Sequence, residues 1–191
     1  MGLTEWIIVI VISLIVFIII MIILGSILQK KQINKMYKEV EILLDKIVSI
    51  KPEDYSYTRV EKPKKKSDAS QMPFDYVLES KKYRYHIKLI SNIGNQEICV
   101  NNSVKWQLRK SFNDETLRFV ENVEQLMRLD LPNSSNNKAN KKLYIIYPNA
   151  RSLLKYINEC EMEFVHPHTD VYGTNIITYV ALCEHMDLIK L

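Results

Sequence analysis

The sequence predicts a mixed α/β domain, a β-sheet flanked by helices, carried behind one N-terminal transmembrane helix. Three observations lead there. Trp6 to Leu24 is an uncharged run in which Ser13 is the one polar residue. Phe74 to Ile90 (FDYVLESKKYRYHIKLI) reads as two aromatic and β-branched strands joined at Ser80-Lys81-Lys82. Beyond it, stretches with helical and strand periodicity alternate, and a sheet that packs its apolar face under helices satisfies both.

Each element follows from its residues. The apolar run has about the 20 residues a helix needs to cross a bilayer core of about 30 Å, and in hydrocarbon a lone spanning segment must be helical. A secretory leader fits less well. Its apolar region would be shorter, follow basic residues and precede a small-residue cleavage site, whereas MGLTE holds no Lys or Arg and Gly25-Ser26 is a poor match. Trp6 stands where N-myristoylation prefers Ser or Thr. Residues 1–28 are therefore expected to be a retained anchor that meets lipid through residues 6–24. Lys30, Lys31, Lys35 and Lys38 follow the run, against Glu5 before it. The excess of basic residues on that side predicts a single-pass protein of the cell membrane, N-terminus outside and the C-terminal domain in the cytoplasm. Cys99, Cys160 and Cys183 are widely spaced and form no CxxC, so they suggest neither a disulfide framework nor a zinc site.

Residues 29–50 form a juxtamembrane amphipathic helix, also readable as the first helix of the core, because Ile33, Met36, Val40, Leu43, Leu44 and Ile47 recur at three- and four-residue steps. Residues 51–72 read as a basic linker with Pro52, Pro63 and the run EKPKKK. So soon after a spanning helix, such a run favours anionic lipid over nucleic acid. Residues 73–191 are the expected cytoplasmic α/β domain. After the hairpin, Gly94-Asn95 signals a turn into a third strand, Glu97–Val100. Asn113 can cap a helix whose first turn carries Asp114 and Glu115 and whose apolar side runs Leu117, Val120, Val123 or Glu124, and Met127, ending before Pro132. NSSNNKAN (133–140) is a polar loop, Leu143–Tyr147 a buried strand closed by Pro148-Asn149, and a helix is expected through Leu153, Leu154 and Ile157. Glu163–Val165 and Thr174–Leu182 are further expected strands.

The hairpin carries the candidate chemistry. With the turn at Lys81-Lys82, Ser80 faces Tyr83, Val77 faces His86 and Asp75 faces Lys88. Side chains alternate, so Asp75, His86 and Lys88 share one face while Tyr85, Ile87 and Leu89 take the other. Cross-strand partners lie about 5 Å apart at Cβ, within reach of an ion pair.

An Asp on the first strand, an x-Lys pattern on the second and a preceding helix bearing Glu resemble the PD-(D/E)xK nuclease superfamily, as does the order αβββαβ from Gln32 to Tyr147. The resemblance implies a restriction-endonuclease-like fold. It would make Asp75 a metal-binding aspartate, Lys88 the lysine that orients water and offsets phosphorane charge, and Glu41 (or Glu39) the outer acid around Mg²⁺ or Mn²⁺. His86 stands where that family carries a second carboxylate, and neutral imidazole prefers softer metals. Glu79 and Glu97 are the nearest substitutes in sequence. As an ordinary cross-strand pair on a partly exposed face, Asp75 and Lys88 would contribute well under about 1 kcal/mol.

His166, His168 and Asp170 (VHPHTDVYG) resemble the H-x-H-x-D metal motif of metallo-β-lactamase-like hydrolases, but only His185 and Asp187 remain downstream as further ligands, and Pro167 and Gly173 favour a turn. No nucleotide-binding glycine loop or nucleophile elbow is present. Trp106 and the tyrosines could stack on bases, though their spacing suits a core. A net charge of +4 does not demand a polyanionic partner. The expected function is a membrane-tethered, non-catalytic binding or scaffold module on a degraded nuclease-like fold, with a protein or a nucleic acid as candidate partner. The alternative is an active, metal-dependent nuclease at the membrane.

Overall fold

The structure, a computed structural model, describes residues 2–60, 74–101, 106–109, 118–119, 131, 138–158 and 161–184. The chain divides into two compact units, Met1–Glu39 and Val40–Leu191. From Leu3 on, the first lies within the helix α1 (Leu3–Ile50). The anchor 1–28 and the amphipathic helix 29–50, expected as separate segments, are parts of this one helix. Ser26 donates its hydroxyl to the Ile22 carbonyl at 3.0 Å, a back-bond that lets a polar residue sit inside a helix. The apolar residues from Trp6 to Leu28 that are described are exposed. This stretch is long and apolar enough to cross a membrane. At about 1.5 Å per residue, Trp6–Leu24 extends about 28 Å, close to the thickness of a hydrocarbon core.

The second unit is built on two sheets. Strands β1 (Ser56–Arg59), β2 (Tyr76–Glu79), β3 (Tyr83–Ser91), β7 (Ala139–Tyr147), β10 (Asp170–Val171) and β11 (Thr174–Thr178) form one, in the order β1-β2-β3-β7-β11-β10. Its centre, β3, β7 and β11, is parallel, and its flanks are antiparallel. Strands β4 (Glu97–Val100), β5 (Trp106–Arg109), β6 (Arg118–Phe119), β8 (Leu153–Asn158) and β9 (Glu161–Phe164) form the other, in the order β6-β5-β4-β8-β9. A short helix, α2 (Tyr179–Glu184), follows β11.

Alternation sorts the first sheet's side chains onto two apolar faces. Tyr76, Leu78, Tyr85, Ile87, Leu143 and Ile145 are buried on one of them. The Tyr76 hydroxyl bonds Glu41 and Tyr57 bonds Asp45, so the C-terminal part of α1 lies over this face and buries Val40, Leu43, Leu44 and Ile47. From the opposite face, Phe74, Ile90, Tyr144, Ile146 and Ile176 pack against Ile98, Val100, Trp106 and Leu153 of the second sheet. The Trp106 and Tyr144 rings meet edge to face, 5.1 Å between centroids. Both faces of the central strands are thus covered, as parallel strands require.

Several expectations change here. The first sheet has helix on one face and a second sheet on the other, rather than flanking helices on both. Glu97–Val100 leaves the sheet of the hairpin and pairs in the second sheet. The expected helix through Leu153, Leu154 and Ile157 is β8, parallel to β4 with Ile98 opposite Leu153. A six-residue stretch with Leu153, Leu154 and Ile157 as its aliphatic positions fits either period, and here long-range pairing decides. Within the expected linker 51–72, Ser56–Arg59 is an edge strand on β2. The expected strand Thr174–Leu182 ends at Thr178, whose Oγ1 accepts the Ala181 N–H at 3.2 Å and so caps α2. Of the expected helix from Asn113, Arg118–Phe119 is strand, paired with β5, and the rest lies outside the described residues. The EKPKKK run also lies outside them.

The corner between the sheets is built by Asn92, which is 3% exposed. Its Nδ2 donates to the carbonyls of Gln96 (2.8 Å) and Asn149 (2.9 Å), and its Oδ1 accepts the Gln96 N–H at 3.1 Å. One side chain therefore joins the two exits, β3 to β4 and β7 to β8. Both chains cross to the second sheet together and pair again in parallel.

Candidate functional site

The hairpin folds in the expected register, with Val77 opposite His86, Leu78 opposite Tyr85 and Glu79 opposite Arg84. The Ser80 N–H donates to the Tyr83 carbonyl at 2.8 Å and closes the turn. Asp75 precedes β2 by one residue. Its N–H donates to the Ile87 carbonyl (2.8 Å) and its carbonyl accepts the Val60 N–H (2.9 Å). Its carboxylate is buried, the side chain 1% exposed, and Oδ2 accepts both the Leu89 N–H at 2.9 Å and Lys88 Nζ at 3.1 Å. Asp75 and Lys88 are therefore neighbours, as the register predicts, but the setting is interior. The Asp75 side chain takes a ladder position, accepting a strand N–H that would otherwise meet a backbone carbonyl.

His86 is 2% exposed. Its Nε2 lies 3.1 Å from Asn140 Oδ1 and its ring packs on Phe74, 5.3 Å between centroids. Its Nδ1 is buried and has no hydrogen-bond partner among the described residues. Burial pushes the imidazole pKa below the usual histidine range, against the opposing effect of the Asn140 bond. A neutral, enclosed imidazole occupies the place where the nuclease pattern has a carboxylate.

The remaining acids are committed elsewhere. Glu41 Oε1 accepts from the Tyr76 hydroxyl at 3.0 Å and from Arg59 at 2.9 Å. Tyr76 and His86 are on opposite faces of the sheet, so Glu41 and His86 are as well. Glu39 pairs with Lys35 at 3.6 Å within the first unit. Glu79 is held by Arg84 and by Lys138 (3.1 Å), bonds that keep its carboxyl below the usual range. Glu97 belongs to the second sheet, 3.8 Å from Arg109. A hard divalent cation needs several convergent oxygen ligands. Among the described residues no group of three or more His, Cys, Asp or Glu could hold a metal. Asp75, His86, Lys88 and Glu41 thus do not fit Mg²⁺ or Mn²⁺ as they stand.

The other motifs resolve as local structure. His166, His168 and Asp170 are exposed, His168 in a turn and Asp170 at the start of β10. Asp170 Oδ2 accepts the Gly173 N–H at 3.1 Å and Thr169 Oγ1 accepts the His166 N–H. Tyr172 and Gly173 both adopt positive φ there. His185 and Asp187 lie outside the described residues. Trp106, Tyr76, Tyr85 and Tyr144 are fully buried, so they offer no stacking surface. Cys99 is buried, which pushes its thiol pKa up, and Cys183 is exposed.

Sequence reasoning missed an open groove of about 450 Å³ at the turn end of the hairpin, lined by Asp54, Tyr55, Glu79, Lys81 and Lys138 among others. Lys81 pairs there with Asp54 and Glu79 with Lys138. Comparison with protein-family models, curated proteins and solved structures finds no match to the chain.

Proposed function

We propose that this chain is a single-pass membrane protein whose second unit is a non-catalytic binding or scaffold module on a degraded restriction-endonuclease-like core, facing the cytoplasm. The observation that carries the reading is the state of Asp75. Its carboxylate is buried and bonded to Lys88 and to the Leu89 N–H. A metal-binding aspartate must present free oxygen lone pairs to a cation and to solvent-borne substrate. The burial of His86 and the engagement of Glu41 by Tyr76 and Arg59 support the same reading. The apolar helix supports anchoring, and the lysines after it support the cytoplasmic orientation. A protein partner is the reading's first candidate.

The competing reading is an active nuclease tethered at the membrane. Full-length protein is incubated with single- and double-stranded DNA and RNA in the presence of Mg²⁺ or Mn²⁺. The proposal expects no cleavage above that of an Asp75→Ala, Lys88→Ala double variant. Cleavage by the parent that the double variant loses while still folded would replace the scaffold with the nuclease. A reporter fused after Leu191 should read out as cytoplasmic, and an external signal would reverse the orientation.

A further inference from the structure

The clearest concentration of like charge on the described surface is at the end of the apolar segment. From Gln29 to Lys38 the chain holds Lys30, Lys31, Lys35 and Lys38 and no acidic residue. All four lie on α1 within the first unit and all are exposed. At about 100° per residue, Lys31, Lys35 and Lys38 fall within a sector of roughly 60°. Lys35 has Glu39 as an ion-pair partner at 3.6 Å, yet its side chain is 69% exposed.

Their height on the helix matters as much as their direction. Leu28 is the last of the exposed apolar residues in this stretch. At about 1.5 Å per residue, Lys30 and Lys31 stand roughly 3 to 5 Å beyond it, Lys35 about 10 Å and Lys38 about 15 Å. The headgroup layer is about 5 to 8 Å deep on each side of the hydrocarbon. A lysine stem adds reach by laying its methylenes on apolar surface while the ammonium seeks the polar layer. Lys30 and Lys31 therefore fall at headgroup depth, Lys35 at its outer edge and Lys38 near the limit set by a screening length of about 8 Å.

We infer that Lys30, Lys31, Lys35 and Lys38 form a docking stripe for anionic lipid headgroups in the membrane that the apolar segment crosses. The inference rests on the membrane reading above. Continuity with that segment selects lipid over a free polyanion, because insertion of the helix brings headgroups to the lysines at no further cost in association.

The test uses full-length protein reconstituted into phosphatidylcholine vesicles and into vesicles of phosphatidylcholine with 30% phosphatidylglycerol. A membrane-impermeant amine reagent labels the exposed lysines, and peptide mass spectrometry reads the rate at each one. An attraction of about 1 kcal/mol per charge at the surface corresponds to about a fivefold effect. Labelling of Lys30 and Lys31 should therefore slow about fivefold in the anionic vesicles, Lys35 less and Lys38 least, with the difference lost at high salt. Equal rates in the two vesicles, with protein retained after alkaline extraction, overturn the stripe and leave the anchor standing. Release by alkaline extraction overturns the anchor and the stripe with it. Protection by an oligonucleotide in pure phosphatidylcholine, with none from phosphatidylglycerol, replaces lipid with nucleic acid.

Discussion

Replacing Asp75 separates a structural carboxylate from a catalytic one, because the two roles predict opposite effects on stability. In Asp75→Ala the buried Leu89 N–H loses its 2.9 Å acceptor, and an orphaned buried donor costs about 1 to 3 kcal/mol. Lys88 loses its 3.1 Å partner as well. Breaking a fully buried pair costs about 3 to 5 kcal/mol, but the Lys88 side chain is 26% exposed and part of that charge is recovered by water, so about 1 kcal/mol is the appropriate figure. The sum is about 3 kcal/mol, or about 6 to 12 °C in Tm for a unit of this size. Asp75→Asn keeps one oxygen for the Leu89 N–H and should lose about half as much. The assay is urea and thermal unfolding of full-length protein in detergent micelles, followed by Trp106 in a Trp6→Phe background. If both variants unfold within about 0.5 kcal/mol of the parent, the range of a neutral surface substitution, the ladder role of Asp75 is wrong.

Three further outcomes follow from the same geometry. His86 has its pKa lowered in the folded state, so stability should be fully present above the unfolded value of about 6.5 and fall as pH drops through it, by at most about 1.4 kcal/mol per pH unit. His86→Gln should flatten the urea midpoint between pH 7.5 and 5.5, and an unchanged slope would mean another group titrates there. Asn92→Ala removes three part-buried hydrogen bonds at the corner and should cost about 3 kcal/mol, against less than about 1 if the corner is held by packing. The 18 apolar residues in Trp6–Leu24 favour insertion by about 5 to 11 kcal/mol, so one arginine at Ile15, costing about 3, should leave the protein resistant to alkaline extraction. Arginine at Ile12, Ile15 and Ile19 together should release it, and retention of the triple variant would contradict simple spanning.

The hairpin was legible because its strands are contiguous, its alternation is regular and Ser80-Lys81-Lys82 leaves one register that buries Tyr85 and Ile87. That register also predicted the Asp75–Lys88 contact. The depth of the pair was not readable, since it depends on the second sheet packing over Phe74, Ile90 and Tyr144. Nothing within Glu97–Val100 says which sheet it joins. That choice rests on Asn92 reaching Asn149, 57 residues away, and on β4 meeting β8. Ser56–Arg59 looked like linker because its outer positions are polar, although Tyr57 and Thr58 favour strand. Leu153–Asn158 fits helix or strand by local pattern, and only its partner β4 distinguishes them. Gly25 does not end α1, because a single glycine costs a helix only about 1 kcal/mol.

The central claim is that the Asp75 and Lys88 pair holds the fold together and is not a metal site. It is tested most directly by the unfolding temperature of full-length protein titrated with Mn²⁺ beside its Asp75→Asn variant. Parent and variant should show the same small response at every concentration. A parent-specific rise, approaching the roughly 2.7 kcal/mol expected at a hundredfold excess over Kd and absent from Asp75→Asn, would contradict the claim and return Asp75 to the role of a metal ligand.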